Sequence, residues 1–402
     1  MRAFDPLRGA LLRIIVVGVI TSVGVGCQPA VTPPDTDPAT QLAEALQELV
    51  DSAVADNELV FGAALYVGAP ALDLEWEGAA GMANPEAGVE MTSGHPVRTA
   101  SNTKTYVAAT VLRLWEKGKL DLDDPIADYL GENLIASLQG DGYDPQAIKI
   151  RHLLTHTAGV FDHSDTTNYI EAITTDPHHA WTRSEQVEAA MAWGDPLGEP
   201  GELYRYSDTG YVLLGEVVAQ ASGQAMAATV REMLDFERLG LTSTWWETLE
   251  SEPEGVSERA HQFFGETDTF DFNPALDLYG GGGLVATVGD LGRFMRALFT
   301  GGVYARPETV ATMLTKLDAV GSSGQEGQMP PGMYRMGVWV LEVGGYETYR
   351  HTGFWGTLAI YVPALDLTIA CTVNQNQGGE ALYKLTEQSI ALVSEATTST
   401  SR

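Results

Sequence analysis

A serine and a lysine three residues apart give the chain its clearest chemical signal. Ser101-Asn102-Thr103-Lys104 stands at the start of a segment, Thr103–Lys117, whose apolar spacing predicts a helix. Residues three apart share a helix face, so the Ser101 hydroxyl and the Lys104 amine are expected to be neighbours. A lysine can act as a base only after losing its proton, which burial or the positive end of a helix favours. The pair predicts a serine nucleophile; the alternative is a serine that merely caps the helix.

Two later triplets could complete such a site. Tyr206-Ser207-Asp208 lies in a loop after Pro200-Gly201 and could bring a phenol to a site, or could be a buried tyrosine beside a capping aspartate. His351-Thr352-Gly353 ends a strand-like run, where a glycine lets a substrate backbone approach the strand edge. Each triplet by itself has an ordinary structural explanation.

The elements that would position these residues come from both ends of the chain. Hydrophobic periodicity predicts helices and strands with these bounds: helices Gln41–Val54, Thr103–Lys117, Ser184–Trp193, Tyr211–Ala221, Met226–Phe236 and Gly378–Glu395; strands Leu59–Val67, Leu72–Ala80, Gly280–Thr287, Tyr334–Val343, Tyr346–His351, Thr357–Pro363 and Leu367–Val373. The middle of the chain is mostly helical and the end is an antiparallel meander. The prediction is an α+β fold, with an antiparallel sheet flanked by helices and a helical insertion.

The order of the three motifs resembles one known family. Ser-x-x-Lys, then Tyr-x-Asn, then Lys/His-Thr-Gly is the pattern of the serine β-lactamase and penicillin-binding peptidase superfamily, and the sequence is most similar to its class C and D-alanyl-D-alanine carboxypeptidase branch. The segments Gly118–Pro125, Ile150–Gly159, Tyr206–Gly215 and Gly281–Leu284 also resemble that family. The resemblance covers about residues 41–395 and implies the β-lactamase/transpeptidase-like fold.

The resemblance implies a role for each matching residue. Ser101 would be the acylating nucleophile, and Lys104 and Tyr206 would move its proton. His351 stands where many relatives have lysine and would supply positive or hydrogen-bonding character. Thr352, within the triplet that ends at Gly353, would contact a substrate carboxylate or carbonyl, and the backbone N–H groups of Ser101 and Phe354 would form the oxyanion hole.

Asp208 departs from the family pattern, which has asparagine there. An ionised aspartate only accepts hydrogen bonds, whereas an asparagine also donates them. Asp208 could pair with Lys104, keep it protonated and shift the base role to Tyr206, which is the interpretation we favour. It could instead recognise a positively charged substrate group. Either role puts efficient turnover of β-lactams in doubt.

Composition and the remaining polar clusters exclude other functions. With 23 Lys+Arg against 54 Asp+Glu, the formal charge is −31, which argues against a nucleic-acid partner. His152 and His156 lack the glutamate of a zinc-protease helix, and no metal or cofactor is predicted. Gly280–Gly283 lacks the Gly-Lys-Ser/Thr of a phosphate loop, and Asp162–Asp165 is expected to be a solvated loop.

The N-terminus is typical of an exported protein. Basic residues precede an apolar run, Ile14–Val25, and small residues then lead to Cys27, which resembles a bacterial lipoprotein processing site. We expect residues 1–27 to be a signal peptide with lipid on Cys27, and 28–40 to be a proline-rich linker. The alternative is simple signal cleavage without lipid. Cys371, in an apolar run, is expected to be a buried strand residue.

The sequence thus predicts an exported enzyme of the bacterial cell envelope. Residues 41–395 would form the catalytic domain, with an α/β part (41–117 and 275–395) and a helical part (118–274), and residues 396–402 a flexible tail. Its substrate would be a small molecule or peptide, most plausibly a peptide ending in D-alanine. The alternatives are a short-acyl esterase or β-lactamase with the same residues, and a non-catalytic protein that binds penicillin or peptidoglycan. Membrane contact would come only from the lipid anchor.

Overall fold

A computed structural model describes residues 38–317, 320–322, 330 and 332–400. From Pro38 onward the chain forms one compact unit. The predicted signal segment, Cys27 and the linker up to Asp37 lie outside the described residues. Within the described residues, no helix is long and apolar enough to cross a membrane.

Helices are found at both ends of the chain and throughout its middle. Their bounds are α1 Pro38–Ala55, α2 Thr103–Glu116, α3 Glu132–Gly140, α4 Ile150–Leu154, α5 Thr167–Thr175, α6 Arg183–Trp193, α7 Asp208–Ser222, α8 Met226–Leu234, α9 Val288–Phe299, α10 Glu308–Met313 and α11 Gly379–Thr400. Short 3₁₀ turns connect several of them, including Ala100–Asn102 immediately before α2.

The strands form one large antiparallel sheet and several short pairs. Their bounds are β1 Gly62–Ala69, β2 Leu74–Asn84, β3 Val89–Glu90, β4 Val97–Arg98, β5 Leu203–Tyr204, β6 Trp245–Trp246, β7 Phe263–Phe264, β8 Thr267–Asp268, β9 Leu284–Ala286, β10 Gly321–Ser322, β11 Trp339–Val343, β12 Tyr346–Gly353, β13 Thr357–Val362 and β14 Leu367–Thr372. The large sheet has the order β11-β12-β13-β14-β1-β2-β3. In it β1, from the start of the chain, pairs with β14, with Leu65 opposite Cys371.

Both faces of the central strands are covered, which explains why their sequences are continuously apolar. Leu65 and Ile369 face a core shared with α1 and α11. Tyr66 and Ala370 point to the opposite face and join a larger core that includes α2, α7 and α9. Successive strand residues alternate between the two faces, so one sheet separates two cores. The α+β prediction, with helices on an antiparallel sheet built from both ends of the chain, is confirmed.

Both predicted boundaries of the domain need correction. Pro38–Thr40, expected in the linker, form the first turn of α1, where a proline is tolerated because its missing N–H would have no helical partner. The expected flexible tail is helical to Thr400. Its hydroxyls bond back along the helix, with Thr398 Oγ1 donating to Ser394 O at 2.9 Å. Ser401 and Arg402 lie outside the described residues.

Two predicted strands are shorter than expected, and one buried cysteine is confirmed. Of Gly280–Thr287 only Leu284–Ala286 is a strand, because Gly280 and Gly283 adopt φ of +126° and +111°. Of Tyr334–Val343 only Trp339–Val343 is a strand. Cys371 is fully buried in β14, and burial raises the pKa of its thiol to about 12.

Candidate active site

Ser101 lies in a strained turn that is fastened to the large sheet. Ala100, just before it, has φ of +45°, a value that side chains other than glycine rarely adopt. Asn102, just after it, donates from Nδ2 to Thr357 Oγ1 at 2.9 Å, and Thr357 Oγ1 donates to Thr99 O at 3.0 Å. These buried bonds hold the serine turn against the start of β13.

Lys104 is completely buried, and three acceptors surround its ammonium group. Nζ donates to Ser101 Oγ at 2.9 Å and to the Gly281 carbonyl at 2.5 Å, and it lies 2.6 Å from Asp208 Oδ1. An ammonium group has three hydrogens, so these contacts use its whole capacity. The glycine run, excluded as a phosphate loop, has a different role here, since it brings a carbonyl onto Lys104.

Asp208 begins helix α7 and is the counter-ion of Lys104. Burial alone would raise the pKa of Asp208, but the ammonium of Lys104 outweighs burial and holds that pKa below its usual range. Ser164 Oγ donates to the other carboxylate oxygen, Oδ2, at 3.0 Å. Asp208 therefore faces Lys104 as a carboxylate, which agrees with the first of the two roles that the sequence left open.

Tyr206 completes the contact around the serine. Its phenol is close enough to the Ser101 hydroxyl for that hydroxyl to oppose part of the rise in its pKa, and Lys104 Nζ lies 5.2 Å from its ring centroid. The ring is held between His156, at 4.1 Å between centroids, and Trp339, which is parallel to it at 6.3 Å. Burial, followed by the charge of Asp208, raises the pKa of Tyr206 well above its usual value. Tyr206 is therefore a neutral phenol.

His351 lies beside the site as a neutral, hydrogen-bonding side chain, which is the second of the two characters expected for it. Burial, followed by the charge of Lys104, lowers the pKa of His351 to about 3. Nδ1 lies 2.8 Å from the Thr352 carbonyl, which only accepts, so Nδ1 carries the single proton. Nε2 then accepts from the Tyr334 hydroxyl at 3.1 Å. Both ring nitrogens are occupied within the protein.

The end of β12 presses directly onto the serine turn. A Cβ at Gly353 would collide with Thr99 O and with Thr357 Oγ1, so only glycine fits there. This close approach brings Thr352 and Phe354 to the wall of the cavity into which Ser101 opens. The three distant motifs of the sequence therefore meet at one place.

That cavity has a volume of about 420 Å³ and two chemically different walls. One wall is acidic, with the side chains of Asp162, Asp165, Asp208 and Asp277. The other is apolar, with Ile170, Ile173, Leu276, Phe354 and Trp355.

Several residues of the cavity were not predicted from the sequence. The expectation that Asp162–Asp165 is solvated is wrong for Asp162 and His163, which are 3% and 2% exposed. Asp162 contacts Ser164, whose N donates to Asp162 Oδ1 at 3.1 Å and whose Oγ lies 3.0 Å from the same oxygen. Asp277 and Tyr334 were not proposed at all. The one available signal was the position of Asp162 soon after the family-like segment Ile150–Gly159.

His156 supports the site from behind. It is 3% exposed, and its Nδ1 accepts from Ser207 N at 3.1 Å while its ring packs on Tyr206. Burial lowers the pKa of His156 well below its usual value, so it is neutral. Within the described ranges, no group of three or more His, Cys, Asp or Glu side chains could hold a metal ion.

Comparisons with known proteins place this geometry in context. The family model described as Beta-lactamase matches residues 51–392. An esterase, EstB from Burkholderia gladioli, is 32% identical over 53% of this chain and 54% of its own. A putative D-alanyl-D-alanine carboxypeptidase from Escherichia coli K12 is 26% identical over 80% of this chain and 77% of its own. The chain spans about half the length of the first three curated relatives it matches.

Solved structures share the fold. A D-stereospecific amidohydrolase from Streptomyces sp. superposes with a TM-score of 0.71 at 25% identity, covering 86% of this chain and 98% of its own.

Proposed function

Because the chain belongs to the beta-lactamase family, we propose that it is a serine hydrolase that forms an acyl-enzyme on Ser101 from an amide or an ester. One observation carries the proposal. Ser101 Oγ lines a cavity, lies 2.9 Å from the buried Lys104 Nζ and is close enough to the Tyr206 phenol, which lines the same cavity, to affect its pKa. A hydroxyl in contact with an amine and a phenol is the arrangement that nucleophilic acyl transfer needs.

In the acylation step Tyr206 relays the proton. Ser101 Oγ forms a bond to the substrate carbonyl carbon while the bond from that carbon to the leaving nitrogen or oxygen breaks. The Ser101 proton moves to Tyr206 Oη as the phenolic proton of Tyr206 moves to the leaving group. Tyr206 begins and ends neutral, which suits a phenol whose pKa is raised well above its usual value.

Lys104 and the backbone stabilise the charge that develops. The Lys104 ammonium, 2.9 Å from Ser101 Oγ, stabilises negative charge on that oxygen during attack. The N–H groups of Ser101 and Phe354 would bind the carbonyl oxygen. In deacylation water bonds to the acyl carbon, the Ser101 ester bond breaks, and a water proton returns to Ser101 Oγ through Tyr206.

The charge of the cavity affects which substrates can bind. Peptides ending in D-alanine and β-lactam drugs both carry a carboxylate near the scissile bond. His351 is neutral, and Lys104 is the cation of the site but is already paired with Asp208. The side chains that line the cavity within the described residues include four aspartates and neither lysine nor arginine. We therefore favour amides and esters that lack this carboxylate over D-alanyl-D-alanine peptides.

Location in the cell envelope is a separate proposal. It rests on the sequence before Cys27, which lies outside the described residues. If the chain is exported and lipidated, a Cys27→Ala variant should move from the membrane fraction to the soluble fraction, and the mature wild-type chain should gain the mass of a diacylglycerol-type anchor. Wild-type chain recovered without added mass would indicate simple cleavage.

The decisive experiment traps the intermediate. The wild-type protein, mixed with a short-chain nitrophenyl ester and quenched in acid, should gain the mass of one acyl group on the peptide that contains Ser101. Ser101→Ala should show neither adduct nor turnover, while Asp73→Asn, an exposed change in the β1–β2 turn, keeps both. If ester, amide, D-alanyl peptide and β-lactam all leave wild-type protein unmodified, the chain is a binding protein and the proposed hydrolase is wrong.

A further inference from the structure

One wall of the cavity has more carboxyl groups than nearby cations to pair with them. The carboxyl groups of Asp162, Asp208 and Asp277 are close enough to influence one another. The nearest cation, Lys104, already uses its three hydrogens on Ser101, Gly281 and Asp208. One ammonium thus faces three carboxyl groups. Buried charge without a partner is costly, so the arrangement needs either protons or a cationic ligand.

Asp162 is the most deeply buried of the three and is only half satisfied. It is 3% exposed and lines the cavity. Its Oδ1 accepts from Ser164 N at 3.1 Å and lies 3.0 Å from Ser164 Oγ, but Oδ2 accepts no hydrogen bond from the described residues. The neighbouring His163 does not help, because burial lowers its pKa to about 4 and leaves it neutral. Asp162 therefore presents an unpartnered carboxyl oxygen in the wall.

The hydroxyl of Ser164 lies between two carboxyl groups. Ser164 Oγ is 3.0 Å from Asp162 Oδ1 and 3.0 Å from Asp208 Oδ2. A hydroxyl has one hydrogen and can donate to only one of these oxygens, so the other oxygen is left without that donor. Burial, followed by the charge of Asp208, raises the pKa of Asp162 to about 8, which favours a proton on Asp162 over one on Asp208. A cationic ligand beside Asp162 would replace this proton.

Asp277 faces the same space from the loop before Gly280. It packs so closely on Gly282 that a Cβ there would collide with its carboxyl group. No hydrogen bond from the described residues reaches its side chain. Burial, followed by the charge of Asp208, raises the pKa of Asp277 to about 7. Asp277 is thus a second acid without a partner.

The same cavity also has an apolar lining. Ile170 and Ile173 project from α5, and Leu276 and Trp355 complete a surface without charged atoms. Trp355 is 1% exposed and rigidly packed. Such a surface stabilises a bulky apolar group by removing it from water. The cavity therefore fits a small molecule that is cationic at one end and apolar at another.

We propose that the acyl part of the substrate is an amino acid with a free, protonated amino group, which binds among Asp162, Asp208 and Asp277 while its apolar side chain lies on Ile170, Ile173 and Trp355. The enzyme would then cleave α-aminoacyl amides or esters. The inference rests on the proposed acyl transfer at Ser101 and adds its substrate class. It also assigns to Asp208 the second role that the sequence left open, in addition to the ion pair.

Binding to an inactive variant tests the amine site without requiring turnover. The Ser101→Ala protein is titrated by calorimetry at about pH 6.5, where an α-amino group is protonated. The ligands are phenylalanine amide, its N-acetyl derivative and 3-phenylpropionamide, with both enantiomers where they exist. We expect one enantiomer of phenylalanine amide to bind at least about tenfold more tightly than the two neutral compounds, a difference of about 1.4 kcal/mol.

Substitutions then test which aspartates cause the preference for the charged ligand over the neutral ones. Adding Asp277→Asn, at a partly exposed position, should reduce the preference at least about threefold, and Asp162→Asn should do the same if that buried variant folds. Asp73→Asn, an exposed change of the same charge, should leave it unaltered. Equal binding of charged and neutral ligands, or a preference that survives Asp277→Asn, would overturn the inference.

Turnover separates this inference from the proposed hydrolase. Wild-type protein is given a neutral acyl nitrophenyl ester and the matching aminoacyl ester. Cleavage of both with no higher kcat/KM for the charged ester would refute the amine site and leave the hydrolase standing. If the wild-type protein cleaves neither ester but the Ser101→Ala protein binds phenylalanine amide tightly, the proposed hydrolase is wrong and the proposed amine-binding site still stands.

Discussion

Lys104 Nζ lies 2.6 Å from Asp208 Oδ1, at the position where the family pattern has asparagine. The pair is buried, and Ser101 Oγ and the Gly281 carbonyl accept the remaining hydrogens of Lys104. An ammonium held in this way cannot take the proton of Ser101 without first giving one up. In the proposed mechanism, the ion pair therefore moves the base role toward Tyr206 and leaves Lys104 to stabilise charge on the serine oxygen.

Replacing Asp208 with asparagine should change which substrates acylate the enzyme. The substitution removes the counter-ion of Lys104 and leaves its ammonium group without a carboxylate partner. Asp208→Asn also restores a donor for a substrate carbonyl. We expect acylation by a chromogenic β-lactam to rise at least about tenfold relative to cleavage of a neutral ester. Single-turnover kinetics on both compounds measure the ratio.

The matched control removes a charge of the same sign elsewhere. Asp73→Asn, in the exposed β1–β2 turn, should leave the ratio at its wild-type value. A ratio that stays flat or falls in Asp208→Asn would show that the ion pair does not limit Lys104.

Removing one oxygen from Tyr206 should stop the proton relay without disturbing the packing. Tyr206→Phe keeps the ring between His156 and Trp339, so the melting temperature should change little. Loss of the relay should lower kcat by about 10²–10⁴-fold, with a smaller effect on KM. Steady-state kinetics on a nitrophenyl ester give both numbers. A variant that retains more than about a tenth of wild-type kcat would exclude Tyr206 from the relay.

The sequence predicted the serine, the lysine and the phenol as a set, and local periodicity alone could not have done so. Ser101 is in a 3₁₀ turn and Lys104 in the first turn of α2, so the three-residue spacing does bring them together. Tyr206 comes from a loop between short elements, and nothing local places it near Ser101. Its assignment depended on the order of motifs along a known family.

The charge of the site was harder to predict, because burial decides it and burial of a loop is not encoded locally. The stretch Asp162–Asp165 has the composition of a solvated turn, yet Asp162 and His163 are buried, and His163 N donates to Thr209 Oγ1 in α7. The place of His351 in the motif left positive and hydrogen-bonding character both open, and burial together with the charge of Lys104 favours the neutral ring. Such effects depend on neighbours that are far away in sequence.

A methyl group at Gly353 should disturb the site from behind. In Gly353→Ala the new Cβ would meet Thr99 O and Thr357 Oγ1, and neither can move without breaking the bonds that hold the serine turn. We expect a loss of about 1–3 kcal/mol in the free energy of unfolding and a lower kcat, because Phe354 and its N–H are displaced. Chemical denaturation and ester kinetics measure the two effects.

An open glycine provides the comparison for that variant. A Cβ at Gly94 would have Thr92 Oγ1, 3.7 Å away, as its nearest neighbour. Gly94→Ala should therefore keep both stability and activity. Wild-type kcat in Gly353→Ala would mean that the close approach of β12 to the serine turn does not position the oxyanion site.

Neutral buried histidines should make the fold sensitive to acid. Burial is the main cause that lowers the pKa of His152 and His163 to about 4 and that of His351 to about 3. Burial also lowers the pKa of His156 well below its usual value. The unfolded chain takes up these protons at about pH 6.5, so their stabilising effect is complete above that pH and is lost as the pH falls through about 4. Asp162 and Asp277, with raised pKa values, oppose part of this loss because the folded state keeps their protons.

In this pH range the unfolded chain holds about four extra protons on the histidines, and the folded protein holds about two extra protons on the aspartates. The net difference of about two protons should lower the free energy of unfolding by roughly 3 kcal/mol for each unit that the pH falls between about pH 6 and pH 4.5. Urea denaturation at several pH values gives this slope. His152→Asn removes one such proton while its side chain can still accept from Lys149 N, as His152 Nδ1 does at 3.2 Å. The slope in that variant should be shallower by about 1.4 kcal/mol per pH unit. Because only a group that is neutral when folded and charged when unfolded can produce this difference, equal slopes in the two proteins would show that His152 is protonated in the fold.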